Sequence, residues 1–274
     1  MVTGGSHRPG VDADATGDSA SPYTTTPGVR EVGRFGATER AFHWAFAIPF
    51  IGLLLSGLPL SFPVLRLWIT GYSPEIGIRL HLVCGVAWLI GPALVVCFGD
   101  RKALRTLASD LFAITRDELA WVHQLPRWLA GLACEMRGVG KFNAGQKLNG
   151  VFVAITSALF AITGVVLWIV WQSPGLSSTS SAVGGAIVGW SRLLHYLLTI
   201  LVLAPLLGHI ALATVHPRTK ESLRGMLFGT VDAEWAREHH PVWYSEICRQ
   251  HSDFTEDVEA NPHSGHLSTT SRKS

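Results

Sequence analysis

The sequence predicts an all-α fold: a four-helix transmembrane bundle with both termini on the cytoplasmic side. Three observations carry that expectation. Of the 274 residues, 48% are hydrophobic and only 15% charged, and mean hydropathy is +0.29. Four runs, Ala41–Phe62, Leu80–Phe98, Leu148–Trp171 and Leu193–Pro217, hold no Asp, Glu, Lys or Arg. Each is close to the ~20 residues a helix needs to cross a bilayer. The third observation is the placement of basic residues, which sets the orientation.

Residues 1–33 read as a disordered polar tail. They contain no apolar core of the kind a cleaved signal peptide requires. Residues 34–246 form the predicted four-span domain, and residues 247–274 a second disordered tail. Within the domain, the segment between spans two and three carries Arg101, Lys102, Arg105, Arg116, Arg127, Arg137, Lys141 and Lys147. Arg30, Arg34 and Arg40 precede span one; Arg218, Lys220 and Arg224 follow span four. The two other loops hold only Arg66, Arg79 and Arg192. The positive-inside bias therefore puts the termini and the middle segment in the cytoplasm. Trp121 and Trp128 suggest that part of the middle segment lies at the interface. The stretch "RTKESLRGMLFGTVDAEWAREHHPVWYSE" is too charged to be a fifth span and reads as a docking helix.

Several function classes are excluded. A net charge of +2 is too small to suggest a nucleic-acid partner. The cysteines at 84, 97, 134 and 248 show neither C-x-x-C nor C-x-x-C-H spacing, which argues against an iron–sulfur cluster, a zinc site or a covalently attached haem. No Gly-rich phosphate loop is present.

Histidines in the spans carry the chemistry. His43 lies within a turn of the start of span one, near the inner face, and His81 opens span two near the outer face. Span four enters from outside, with His195 near its outer end and His209 fourteen residues on. That gap is ~21 Å of helix and returns to within ~40° of the same face. Depth then pairs His81 with His195 and His43 with His209. Two histidines from different helices at matched depth are what a six-coordinate haem b requires. The expectation is two non-covalent haem b groups, one above the other. His216 stands seven residues past His209 on nearly the same face, so helical phase leaves both open. His209 is the deeper and has more need of a partner.

These residues also resemble a known family. "RFGATERAFHW", "RLHLVCG", "KFNAGQKLNG", "LLHYLLTILVLAPLLGHIALA" and "RGMLFGTVDAEWAREHHPVWYSE" are similar to the cytochrome b gamma subunit of membrane-bound formate dehydrogenase. That subunit belongs to the di-haem prokaryotic cytochrome b561 and hydrogenase cytochrome b group. The match runs from about Arg34 to Glu246. The resemblance implies that His43, His81, His195 and His209 are the axial ligands, paired as above. It also implies a quinone-reducing site beside the inner haem at Asn143, Gly145 and Gln146, with menaquinone or ubiquinone as acceptor. Read alone, "NAGQK" is a helix-start turn.

On this reading the chain catalyses nothing alone. An iron–sulfur subunit, working with the catalytic subunit of a dehydrogenase, delivers electrons at the outer face, and they pass through both haems to the quinone pool. One alternative is a b561-type cytochrome of a hydrogenase, or a stand-alone quinol oxidoreductase. A more distant one is a non-redox membrane anchor or transporter. The spans contain no Asp or Glu, which proton relays usually need, and a ~21 Å separation exceeds what one metal ion can bridge with ~2 Å bonds.

Overall fold

The computed structural model describes residues 30–69, 71–116, 127, 139–173 and 182–260. Trp121, Trp128, Cys134 and Arg137, and with them the expected interfacial segment, lie outside the described residues, as do most of both tails.

Four long helices form the bundle: α1 (Ala37–Ser61), α3 (Pro74–Phe98), α5 (Ala144–Gln172) and α6 (Ala182–Thr214). All four are long and apolar enough to cross a membrane. Leu55, Leu94, Ile162 and Leu207 are more than half exposed on their flanks, as lipid-facing positions are. α1 packs along α3 and α5 along α6, whereas the two pairs touch each other only sparsely.

Local chemistry explains the helix ends. The Glu39 carboxylate reaches back to accept from the Gly36 N–H at 2.7 Å, satisfying one free donor of α1. At the other end Phe62 is extended, as a residue before proline prefers, and Pro63 restarts a short helix, α2 (Pro63–Arg66). Arg66 folds back so that Nε and Nη2 donate to the Pro59 and Leu60 carbonyls at 2.6 and 2.9 Å. That places a cation at the negative end of α1. α3 begins on Ser73 with Pro74 in its first turn. Asp100 then caps the amphipathic α4 (Arg101–Phe112), accepting from the Lys102 and Ala103 N–H groups.

The first and last segments meet at one end of the bundle, called here the tail end. β1 (Glu31–Gly33) pairs antiparallel with β2 (Thr230–Asp232), with Val32 opposite Val231. Around them lie α7 (Glu221–Phe228), α8 (Ala233–His239) and α9 (Pro241–Ala260). α7 stops at Gly229, whose φ of +91° needs glycine; a Cβ there would also meet the Phe35 carbonyl at 2.9 Å. Val32, Val231, Ala233, Ala236, Trp243 and Tyr244 form a small dry core.

Three boundaries differ from the sequence reading. α6 begins at Ala182, not Leu193, because "AVGGAIVGWS" continues the apolar helix; Arg192 interrupts only the charge-free run and stays exposed. β1 takes in Glu31–Gly33, ahead of residue 34, and α9 extends through residues 247–260. The single docking helix is instead three helices and a strand, broken by Gly229 and restarted at Pro241.

Candidate functional site

The span histidines meet in two pairs, both in the seam between the α1–α3 and α5–α6 pairs. At the far end, His81 of α3 faces His195 of α6 with ring centroids 6.2 Å apart. At the tail end, His43 of α1 faces His209 of α6 at 6.5 Å. An imidazole–metal–imidazole sandwich with ~2 Å metal–nitrogen bonds puts the two ring centres ~6 Å apart, so both pairs have axial-ligand spacing. Among the described residues no group of three or more His, Cys, Asp or Glu converges on a point. Each pair offers two imidazoles from different helices.

Hydrogen bonds at the far pair fix the ring tautomers. His81 Nδ1 lies 3.0 Å from the Leu53 carbonyl, which only accepts, so Nδ1 carries the proton. Ser56 Oγ, donating to the Gly52 carbonyl at 2.7 Å, also accepts from this Nδ1 at 3.1 Å. His195 Nδ1 lies 2.8 Å from Thr163 Oγ1, whose single hydrogen goes to the Leu159 carbonyl at 2.8 Å. With its hydrogen on that carbonyl, Thr163 accepts from His195. Both Nε2 atoms are left as lone-pair donors, the form a metal takes.

The tail-end pair is built differently. His43 Nδ1 is buried without a hydrogen-bond partner, and none of the described residues hydrogen-bonds the His209 ring. His216 lies beyond the last residue of α6; its N–H donates to the Ala211 carbonyl and its ring stands beside Thr219.

Two glycines make room for the far rings. A Cβ on Gly57 would stand 2.9 Å from His81 Cε1, and one on Gly164 would stand 3.6 Å from His195 Cε1. Because the His81 ring is held by Leu53 and Ser56, it cannot yield without losing those bonds. If each pair holds a group of its own, Gly57→Val is expected to empty the far pair and spare the tail-end pair. Haem content of the purified variant, with circular dichroism to check the helices, measures this.

Sequence reasoning missed the rings between the pairs. Phe46 and Phe50 of α1 pack on Trp88 of α3, Phe50 meets Phe160 of α5, and Phe160 stands edge-on to His195 at 5.0 Å. The four-residue spacing of Phe46 and Phe50, which begins three residues after His43, was the available signal.

Asn143 and Gln146 form a reciprocal cap at the start of α5. Asn143 Oδ1 accepts from the Gln146 N–H at 2.9 Å, and Gln146 Oε1 accepts from the Asn143 N–H at 3.0 Å. Their oxygens are thereby occupied, leaving the amide NH2 groups as donors. Gly145 lies between them, half-buried. The segment is held to α1: Lys141 Nζ lies 2.7 Å from Glu39 Oε1, one helical turn before His43.

Beneath this lies a buried cation. Arg34 is 3% exposed, donating to the Lys141 carbonyl at 3.0 Å, Ser222 Oγ at 3.2 Å and His240 Nε2 at 3.0 Å. Its guanidinium sits over Phe35 and Trp235, both 5.1 Å away. Burial pulls Arg34 down to about 9, and burial together with the Arg34 charge pulls His240 down to about 3. His240 is therefore neutral, its Nδ1–H donating to the Gly140 carbonyl at 2.7 Å.

Comparison with known families agrees with this architecture. Residues 34–229 match the family described as prokaryotic cytochrome b561. The chain belongs to that family. Membership implies haem b as the bound group. Relatives of this cytochrome include the nitrate-inducible formate dehydrogenase cytochrome b556(Fdn) subunit of Escherichia coli, 31% identical over 76% of this chain and 88% of the relative. The cytochrome b556(fdo) subunit of the same organism is 27% identical over 78% and 92%. The formate dehydrogenase cytochrome b556 subunit of Haemophilus influenzae is 26% identical over 86% and 91%.

Proposed function

We propose that this cytochrome is the membrane subunit of a formate-dehydrogenase-type complex. It takes electrons from an iron–sulfur partner, itself served by a catalytic subunit, and passes them to the quinone pool. The observation that carries the reading is the pair of facing histidine couples, both using α6, at two depths in one seam. His81 and His195 would hold one haem b at the far end, and His43 and His209 a second at the tail end. When bound, the two groups supply one-electron iron redox chemistry at two depths of the membrane.

The protein's own part is binding and positioning. Leu53, Ser56 and Thr163 aim the far imidazoles. Gly57 and Gly164 leave space beside those rings. The Asn143 and Gln146 amide NH2 groups, flanking Gly145 in sequence, are donors suited to a menaquinone or ubiquinone carbonyl. The basic residues of the tail end support a cytoplasmic location for it in the cell membrane, so the partner subunits dock at the far end and protons for quinone reduction come from the cytoplasm.

The test is spectroscopic. The purified complex is expected to show a reduced-minus-oxidised haem b alpha band with two haems per chain; a ratio near zero in folded protein overturns the reading. Co-purification of hydrogenase subunits in place of formate dehydrogenase subunits would overturn the choice of partner. Gln146→Glu keeps the oxygen that caps α5 but loses the amide donor. It is expected to slow haem reduction by added quinol about tenfold, the loss of ~1.4 kcal/mol from one good hydrogen bond. Reduction by dithionite should be unchanged. An unaltered quinol rate removes Gln146 from the quinone site.

A further inference from the structure

The two histidine pairs differ in how the non-ligating nitrogens are treated. At the far end, both Nδ1 atoms donate to oxygens: Leu53 O and Ser56 Oγ for His81, Thr163 Oγ1 for His195. At the tail end, His43 Nδ1 is buried without a partner, and His209 is exposed, with no hydrogen bond from its ring to a described residue. The asymmetry extends to the supporting groups. Thr163 and Ser56 are themselves oriented by donation to main-chain carbonyls one turn back, at 2.8 and 2.7 Å. In that arrangement their hydroxyls are acceptors for the imidazoles.

An imidazole whose Nδ1–H is hydrogen-bonded is a stronger electron donor through Nε2, and second-shell hydrogen bonding of this kind tunes a metal's potential. Stronger donation favours the oxidised iron, so it lowers the potential. We propose that Thr163 and the Leu53–Ser56 acceptors set the far site at a lower potential than the tail-end site, making transfer from far end to tail end downhill. The potential order is thus written into which histidines have hydrogen-bond acceptors. Thr163 and Ser56 are positioning residues, touching the ligand rings and not the iron. The inference rests on the axial-ligand reading above.

Equilibrium redox titration of the purified complex, followed at the haem b alpha band, tests it. The wild type should resolve a lower and a higher component. Thr163→Val keeps the side-chain shape and deletes the acceptor. It is expected to raise the lower component, with up to a tenfold shift in its oxidised-to-reduced equilibrium, ~59 mV for one electron, leaving the higher component in place. Thr163→Ser retains the hydroxyl and should titrate as wild type. Ser56→Ala should shift the same component by less, because the Leu53 carbonyl remains. Movement of the higher component in Thr163→Val, or of neither, overturns the inference while leaving the ligand reading intact. Absence of haem from the wild type overturns the ligand reading itself.

Discussion

If the two pairs each hold a haem, as proposed, alanine at His209 should empty the tail-end site and leave the far site loaded, halving the haem recovered with the chain. The wild-type ring stands 6.5 Å from that of His43, the spacing of two axial imidazoles. With His209 gone, His43 has no second ring to face across the seam. His216 is the candidate replacement on helical phase, being two turns further along. It lies ~10 Å down the axis, past the end of α6, and its ring is turned to Thr219. His216→Ala should therefore retain both haems. The two variants form a paired measurement by haem-to-protein ratio and by redox titration, in which only the higher component is lost from His209→Ala. The reverse result, with His216→Ala losing haem and His209→Ala keeping it, would move the tail-end ligand to His216.

How much of this was legible beforehand depends on the length scale of each signal. A membrane span is a twenty-residue feature, so four charge-free runs located all four long helices. The meeting of His43 with His209, and of His81 with His195, followed from helix direction and a fourteen-residue spacing, both readable from one sequence. Shorter signals were lost. The β1–β2 pair joins three residues near one end of the chain to three near the other, and three residues carry no periodicity. The start of α6 was hidden by one exposed arginine in an otherwise apolar helix. Thr163 and Ser56 look, in sequence, like ordinary small polar residues in spans; only the packing of α5 on α6 and of α1 on α3 brings them to the rings. Arg34 read as one more cytoplasmic positive charge. Its structure shows a buried cation whose partners are a carbonyl, a hydroxyl, a neutral imidazole and aromatic faces, an environment no local pattern encodes. Asn143 and Gln146 carry both meanings at once, since the cap uses their oxygens and leaves their NH2 groups.

Acid should release the C-terminal segment from the bundle before it unfolds the spans. His240 joins three parts of the chain: its Nδ1–H holds the Gly140 carbonyl, its Nε2 accepts from Arg34, and its carbonyl accepts from the Tyr244 N–H in the first turn of α9. A proton on Nε2 would remove an acceptor and set a second cation against a buried arginine. Burial first, then the Arg34 charge, hold His240 down at about 3, against ~6.5 for a free histidine. The unfolded or undocked segment therefore binds the proton more readily. Docking has full strength above ~6.5 and weakens as pH falls from there towards about 3, by on the order of a few kcal/mol in all. Arg34, pulled down to about 9 by burial, acts in the same sense only above that value, so docking should be constant from ~6.5 to ~9. Glu31, held below the usual carboxylate range by Arg224 and Thr230, contributes only at more acidic pH. The diagnostic window is thus roughly pH 5 to 6.5. Fluorescence of Trp235 and Trp243, which border His240, and hydrogen exchange along α9 should both change there in the intact haem-loaded protein. His240→Gln offers an amide donor and acceptor without a titrating ring, and it should be flat across the window. A wild-type signal equally flat would show that His240 is not the group that ties the segment down.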